Sequence, residues 1–193
     1  KDAQKLIDYR LLGPYNECYM PLADILLEIN DSLNFKDYRR ELDLNRGVVT
    51  ITYFQNGIKF KREIFSSYPD QAIVMRLTAD KPNAINIIAG LGSSVKYQTR
   101  AEGSQVVING IAPSHAEPHY QGKHEPVYDE RGGIRFEGRL FVRNASGSQT
   151  IEENKIVVKG STSVTLMFVA ATSYNGFNKN PFKDGTVPEL RRS

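Results

Sequence analysis

The sequence predicts an all-β fold: a large antiparallel β-sandwich of the super-sandwich type, with a short helical segment at its N-terminus. Three observations lead there. Apolar and polar residues alternate with a period of two in several short runs, turn-forming residues separate those runs, and helical periodicity stops after Gly13-Pro14. Many short strands at intervals of about 8–12 residues suit two packed antiparallel sheets better than any helical or α/β architecture.

Taken in order, residues 2–12 carry modest helical character that ends at Gly13-Pro14. Proline lacks the N–H and pushes its predecessor toward extended geometry. Tyr19–Ile29 and Tyr38–Leu44 read as strands, and Asn45-Arg46-Gly47 turns the chain into Val48–Phe54. There Val49, Ile51 and Tyr53 alternate with Thr50 and Thr52. Asn56-Gly57 follows, and Asn-Gly supplies the two positive-φ residues of a type I′ turn. The return strand sets Ile58, Phe60 and Ile64 against Lys59, Lys61 and Glu63. After Tyr68-Pro69-Asp70, the run Ala72–Ala79 places Ile73, Met75 and Leu77 on one face.

Asp80-Lys81-Pro82-Asn83 is the next turn, and strands are expected at Ala84–Ala89, Val95–Arg100 and Gln105–Ile111. Alternation resumes at Ile134–Arg143, with Ile134, Phe136, Leu140 and Val142 inward and Arg135, Glu137, Arg139 and Arg143 outward. Short strands at Thr150–Ile151 and Ile156–Lys159 precede Ser163–Ala171, whose near-continuous apolar run predicts a strand covered on both faces. The expected organisation is a lead-in over residues 1–17, the sandwich over 18–172 and an exit segment over 173–193.

Composition narrows the function classes. The chain has 193 residues and a net charge of +3, with basic clusters short and close to acids. A nucleic-acid partner is therefore not expected, since such binders concentrate their charge in one stripe. The single cysteine, Cys18, cannot form an internal disulfide and is read as an idle or buried thiol. No apolar run approaches the roughly 20 residues of a membrane span. With no initiator Met, basic n-region or signal-peptide core, the chain is expected to begin inside a larger product.

All three histidines, His115, His119 and His124, lie in the segment 111–133 with Glu117, Glu125, Asp129 and Glu130. Imidazole and carboxylate suit zinc-like ions, but Pro118 disfavours the helix that would make His115-x₃-His119 a ligand pair. No metal and no other cofactor is expected. A solvated loop and a sugar-binding loop are the remaining readings, the second because long loops often carry function and Tyr120 and Tyr128 offer stacking faces. Asp129-Glu130 and Glu152-Glu153 do not make a glycosidase pair, because adjacent side chains on a strand point to opposite faces. Neither a phosphate-binding glycine loop nor a G-x-S-x-G elbow is present.

Several separated motifs carry a resemblance across nearly the whole chain. They are YMPLADILLEI (19–29), YRRELDLNRGVVTITY, REIFSSYPDQAIVMRLTADKP, GIAPSH with PHY, and the closing AATSYNGF (170–177). Together they resemble the N-terminal β-sandwich of glycoside hydrolase family 95, chiefly inverting α-L-fucosidases, with Ala23 where that family usually has glycine.

The resemblance implies that the general acid and the water-positioning groups belong to a downstream (α/α)₆ barrel. No catalytic residue can then be carried onto this chain. It also implies that the family domain begins with strands before Lys1, and that the parent is bacterial, periplasmic or secreted, and acts on fucosylated glycans. Residues expected at the rim of the sugar pocket are His115, His119 and Tyr120, then Tyr174 and Asn175, for which ordinary turn chemistry competes. An independent carbohydrate-binding module is the alternative, and a metal-dependent enzyme built on the histidine loop is a third reading.

Overall fold

The computed structural model describes residues 2–11, 17–29, 34–118, 120, 125–129 and 132–188. Among the described residues one α-helix, α1 (Asp2–Arg10), precedes twelve strands. These are β1 (Asp24–Ile29), β2 (Phe35–Asp43), β3 (Val48–Gln55), β4 (Ile58–Ser67), β5 (Ala72–Ala79), β6 (Ile85–Gly92), β7 (Lys96–Glu102), β8 (Gln105–Ile111), β9 (Arg135–Asn144), β10 (Ser148–Glu152), β11 (Lys155–Ser161) and β12 (Ser163–Thr172). The predicted helix stop at Gly13-Pro14 lies outside the described residues.

The strands form two antiparallel sheets, an eight-stranded one ordered β2-β3-β4-β5-β12-β9-β8-β7 and a four-stranded one ordered β1-β6-β11-β10. The meander from β2 to β5 is the sequence prediction realised strand by strand. Its Asn56-Gly57 turn holds φ of 52° and 72°, and pairs Gln55 with Ile58.

The core lies between the sheets. On the large sheet Leu77, Val106, Ile108, Leu140, Val164 and Leu166 are buried, and they meet Ile85, Ile87, Ala89, Ile156 and Val158 of the small one. Each such side chain, moved fully from water, contributes about 1.5–3 kcal/mol if it is a Val, Leu or Ile. Close packing also fixes a glycine: a Cβ on Gly138 would lie 2.7 Å from the Phe168 ring, so the ring occupies the space its neighbouring strand leaves empty. Within the same core, on β3 and β4, Tyr53 stacks on Phe60 at 5.3 Å, with the Arg62 guanidinium over the same tyrosine ring at 5.2 Å.

Three expectations need correction. The predicted strand Tyr19–Ile29 begins only at Asp24. The preceding residues instead run beside two distant loops: Cys18 N donates to Ala116 O at 2.8 Å between β8 and β9, and Ser93 Oγ, between β6 and β7, donates to Leu22 O at 2.8 Å. Second, β12 is central, between β5 and β9, but its two faces differ. Val164, Leu166 and Phe168 are buried, whereas Thr165, Met167 and Val169 on the other face are half-exposed.

Third, Glu137 points outward in register yet is 0% exposed. Asn109 Nδ2 donates to it at 2.9 Å and Arg139 Nε at 2.8 Å, and an Arg100 guanidinium nitrogen lies 3.7 Å away. Glu102 closes the network by pairing with both Arg100 and Arg139. Alternation reports which face of the sheet a residue occupies. It cannot report that long side chains on neighbouring strands will fold over that face.

Candidate functional site

The segment 111–133 leaves the large sheet between β8 and β9 through a narrow neck. Ala112 N donates to Ile134 O (2.9 Å), Ser114 N to Val127 O (2.8 Å) and Val127 N to His115 O (2.8 Å). Gly133 permits this closure, because a Cβ there would sit 1.9 Å from Ala112 O. No side chain other than hydrogen fits.

The lead-in crosses this neck and locks it. Glu17 accepts hydrogen bonds from His115 Nδ1 (2.9 Å) and from Ala116 N (2.7 Å). A carboxylate can only accept, so Nδ1 carries the proton and Nε2 is the nitrogen left to titrate. Glu117 stands 3.6 Å from that Nε2. The His115 pKa is raised from 6.5, first by the hydrogen bond to Glu17, then by the charge of Glu17; desolvation opposes this, and Glu117 adds a smaller rise. A histidine held between two carboxylates can exchange a proton near neutral pH and bond to hydroxyl groups.

The exit segment folds back over the same neck. Ser173 N donates to Arg135 O (2.8 Å), Arg135 N to Ser173 Oγ (2.9 Å) and Thr186 N to Ser173 O (3.2 Å). Phe182 lies where a side chain on Gly132 would be, 2.2 Å from that glycine's ideal Cβ position. Lead-in, loop neck and exit segment together line a half-open cavity of about 670 Å³. Met20, Leu22, Val95, Ile134 and Phe136 give it apolar walls, and Glu17, Ser114, Thr172 and Asn180 add polar atoms. Its size and mixed lining are those of a small-molecule pocket.

The expected site residues divide. His115 is half-exposed beside the lining residues Ser114 and Ala116. His119 and His124 lie outside the described residues. Tyr120 is exposed, and Tyr174 and Asn175 follow the buried Ser173 but do not line the cavity. Among the described residues no group of three or more His, Cys, Asp or Glu side chains is arranged to hold a metal ion. Glu152 and Glu153 are both exposed and fall at the β10–β11 turn, with Glu153 at φ 48°.

Sequence reasoning missed Glu17. It stands 98 residues from His115, and no periodicity or motif links a lead-in carboxylate to a loop imidazole.

Comparison with known proteins places this architecture. The family described as glycosyl hydrolase family 65, N-terminal domain, matches residues 1–176. The chain belongs to that family. Alpha-L-fucosidase 2 of Arabidopsis thaliana is 26% identical over 179 residues, covering 86% of this chain and 21% of its own length. Probable alpha-fucosidase A of Aspergillus niger is 28% identical over 176 residues, covering 88% of this chain and 20% of its own. This glycosyl hydrolase N-terminal domain thus spans about a fifth of the curated relatives it matches.

Among solved structures, a putative kojibiose phosphorylase from human microbiome aligns over 80% of this chain and 22% of its own, at 14% identity and a TM-score of 0.48. That likeness is too weak to bear on fold or function. The expectation of a glycoside hydrolase N-terminal sandwich holds. None of the described helices is long and apolar enough to cross a membrane.

Proposed function

We propose that this chain is the non-catalytic N-terminal sandwich of an inverting α-L-fucosidase of the family 95 type. Its role is to support a downstream (α/α)₆ catalytic barrel and to edge that barrel's sugar pocket. The observation that carries the reading is the pair of fucosidase-named relatives, which match nearly all of this chain with only about a fifth of their own length. Catalytic groups then belong to the remaining length. The residues assigned to the rim are His115, His119 and Tyr120, with Glu17 holding His115 in one tautomer, and Tyr174 and Asn175 in the exit segment. We assign residues 1–17 to the lead-in, 18–172 to the sandwich and 173–193 to the exit segment, in a periplasmic or secreted bacterial parent.

The test compares this chain with its full-length parent on a fucosylated oligosaccharide, following the anomeric configuration of released fucose by NMR. The parent should release the inverted anomer, and this chain alone should release none. Turnover by the isolated chain would sink the division of labour. A second reading, an independent carbohydrate-binding module, draws on the exposure of Tyr120 and Tyr174, 70% and 47%. It requires calorimetric binding of fucosylated glycans to the isolated chain, abolished by Tyr120→Ala or Tyr174→Ala.

A further inference from the structure

A second cavity, of about 470 Å³, lies across Phe136 from the first, where the starts of β7 and β9 and the end of β8 meet the exit segment at Val187 and Pro188. Its polar lining includes Lys96, Gln98, Asn109 and Arg135, and no acidic residue among the described residues lines it. Lys96 pairs with Ile111 and Ile111 with Arg135, so both cations occupy one face, two strands apart. At the usual strand spacing that separation is roughly 10 Å between backbones, within the joint reach of Lys and Arg side chains.

The two cations are treated unlike their neighbours. On the same face Arg100 and Arg139 are each tied to glutamates. Arg135 and Lys96 form no ion pair with a described residue. Each instead rests on an aromatic ring, Arg135 over Phe182 at 5.4 Å and Lys96 over Tyr128 at 4.1 Å. The Tyr128 hydroxyl also accepts from Lys96 N at 3.2 Å, fixing that ring in place. Arg135 Nε is buried with no hydrogen-bond partner.

The nearest acid by register, Glu137, is already taken up by Asn109 and Arg139. Stacking on rings orients a cation without neutralising it.

We propose that this pocket binds the carboxylate of an acidic sugar, with Arg135 as the principal anchor and Lys96 as the second charge. The two terminal nitrogens of a guanidinium form a planar fork that matches the two oxygens of a carboxylate. The volume exceeds what a bare inorganic anion fills and suits a small organic molecule. Gln98 offers an amide to ring hydroxyls. The sugar half of the assignment rests on the reading of the parent as a glycoside hydrolase, and the carboxylate half does not.

The experiment is calorimetric titration of this chain with glucuronate at low salt, with glucose and inorganic phosphate as comparison ligands. Expected are saturable glucuronate binding, none for glucose, and marked weakening when salt screens the exposed Lys96. Arg135→Gln should weaken binding about ten-fold or more, the scale of a lost charge-assisted hydrogen bond. Lys96→Gln should weaken it several-fold. Because Lys96 is exposed, this second variant keeps the test valid if Arg135→Gln fails to fold.

Absence of saturable glucuronate binding overturns the proposal, as does equal affinity in the wild type and the variants. Displacement of glucuronate by an equal concentration of phosphate would also overturn it, by showing a generic anion hole. The readout is binding, not hydrolysis, so its failure leaves the fucosidase reading to its own assay.

Discussion

Glu137 offers a measurement that separates sequence pattern from tertiary fact. As an outward residue on a sheet, its replacement by glutamine should change stability by less than about 0.5 kcal/mol, the level of an ordinary surface site. As a carboxylate 0% exposed and hydrogen-bonded by Asn109 and Arg139, it should matter far more. Breaking a buried ion pair costs roughly 3–5 kcal/mol when the abandoned partner stays buried and unpaired.

Here the partners are not stranded, since the Arg139 and Arg100 side chains are 25% and 47% exposed. Arg139 also keeps Glu102 at 3.3 Å. The cost of Glu137→Gln is therefore set at about 2 kcal/mol, one charge-assisted hydrogen bond and the loss of its charge. Asn109 cannot simply flip to greet the new amide, because its Oδ1 already accepts from Arg100.

For a domain of this length about 2 kcal/mol lowers Tm by about 4–8 °C. Urea unfolding should show a lower midpoint at unchanged slope. A double-mutant cycle with Arg139→Met should return a coupling of about 1 kcal/mol or more. A midpoint within error of wild type, or additive single effects, would refute the buried-network account.

Two other outcomes follow from the loop neck. Gly133→Ala places a methyl group 1.9 Å from Ala112 O, a backbone atom that can yield only by opening the neck. A loss of about 3 kcal/mol is expected, with faster proteolysis within residues 112–134 as the direct readout. His115, followed by NMR, should titrate above 6.5, and Glu17→Gln should bring it down. Because the folded pKa is raised, this contribution to stability is fully present below about pH 6.5 and lost as pH rises through the folded value. The stability gap between wild type and Glu17→Gln should therefore narrow over that window; a gap that widens would contradict the pairing.

Much of the fold was legible because strand pairing repeats a local signal. Tyr53 and Phe60 are opposite each other because Asn56-Gly57 fixes the register between them. The same logic failed at Tyr19–Ala23, where Pro21 interrupts the donor series and Leu22 O accepts from Ser93 Oγ in the loop between β6 and β7. It was only half right for β12, since an apolar run shows affinity for burial but not what covers each face. At the candidate site, the histidine-bearing loop was visible as a break in alternation. Its partner Glu17 was not visible, because a contact between residues 98 apart leaves no periodic trace.

The sequence by itself determined the strand inventory, the turns and membership in a glycoside hydrolase N-terminal family, all of which rest on local chemistry or on motifs read in order. Tertiary structure alone decided which charges are satisfied. Glu137 vanished beneath two arginines, His115 gained Glu17, and Arg135 was left on an aromatic ring with a buried N–H unmatched. The physical reason is range. Alternation and turn propensity act over a few residues, whereas charge pairing and desolvation depend on whatever the folded chain brings within a few ångströms.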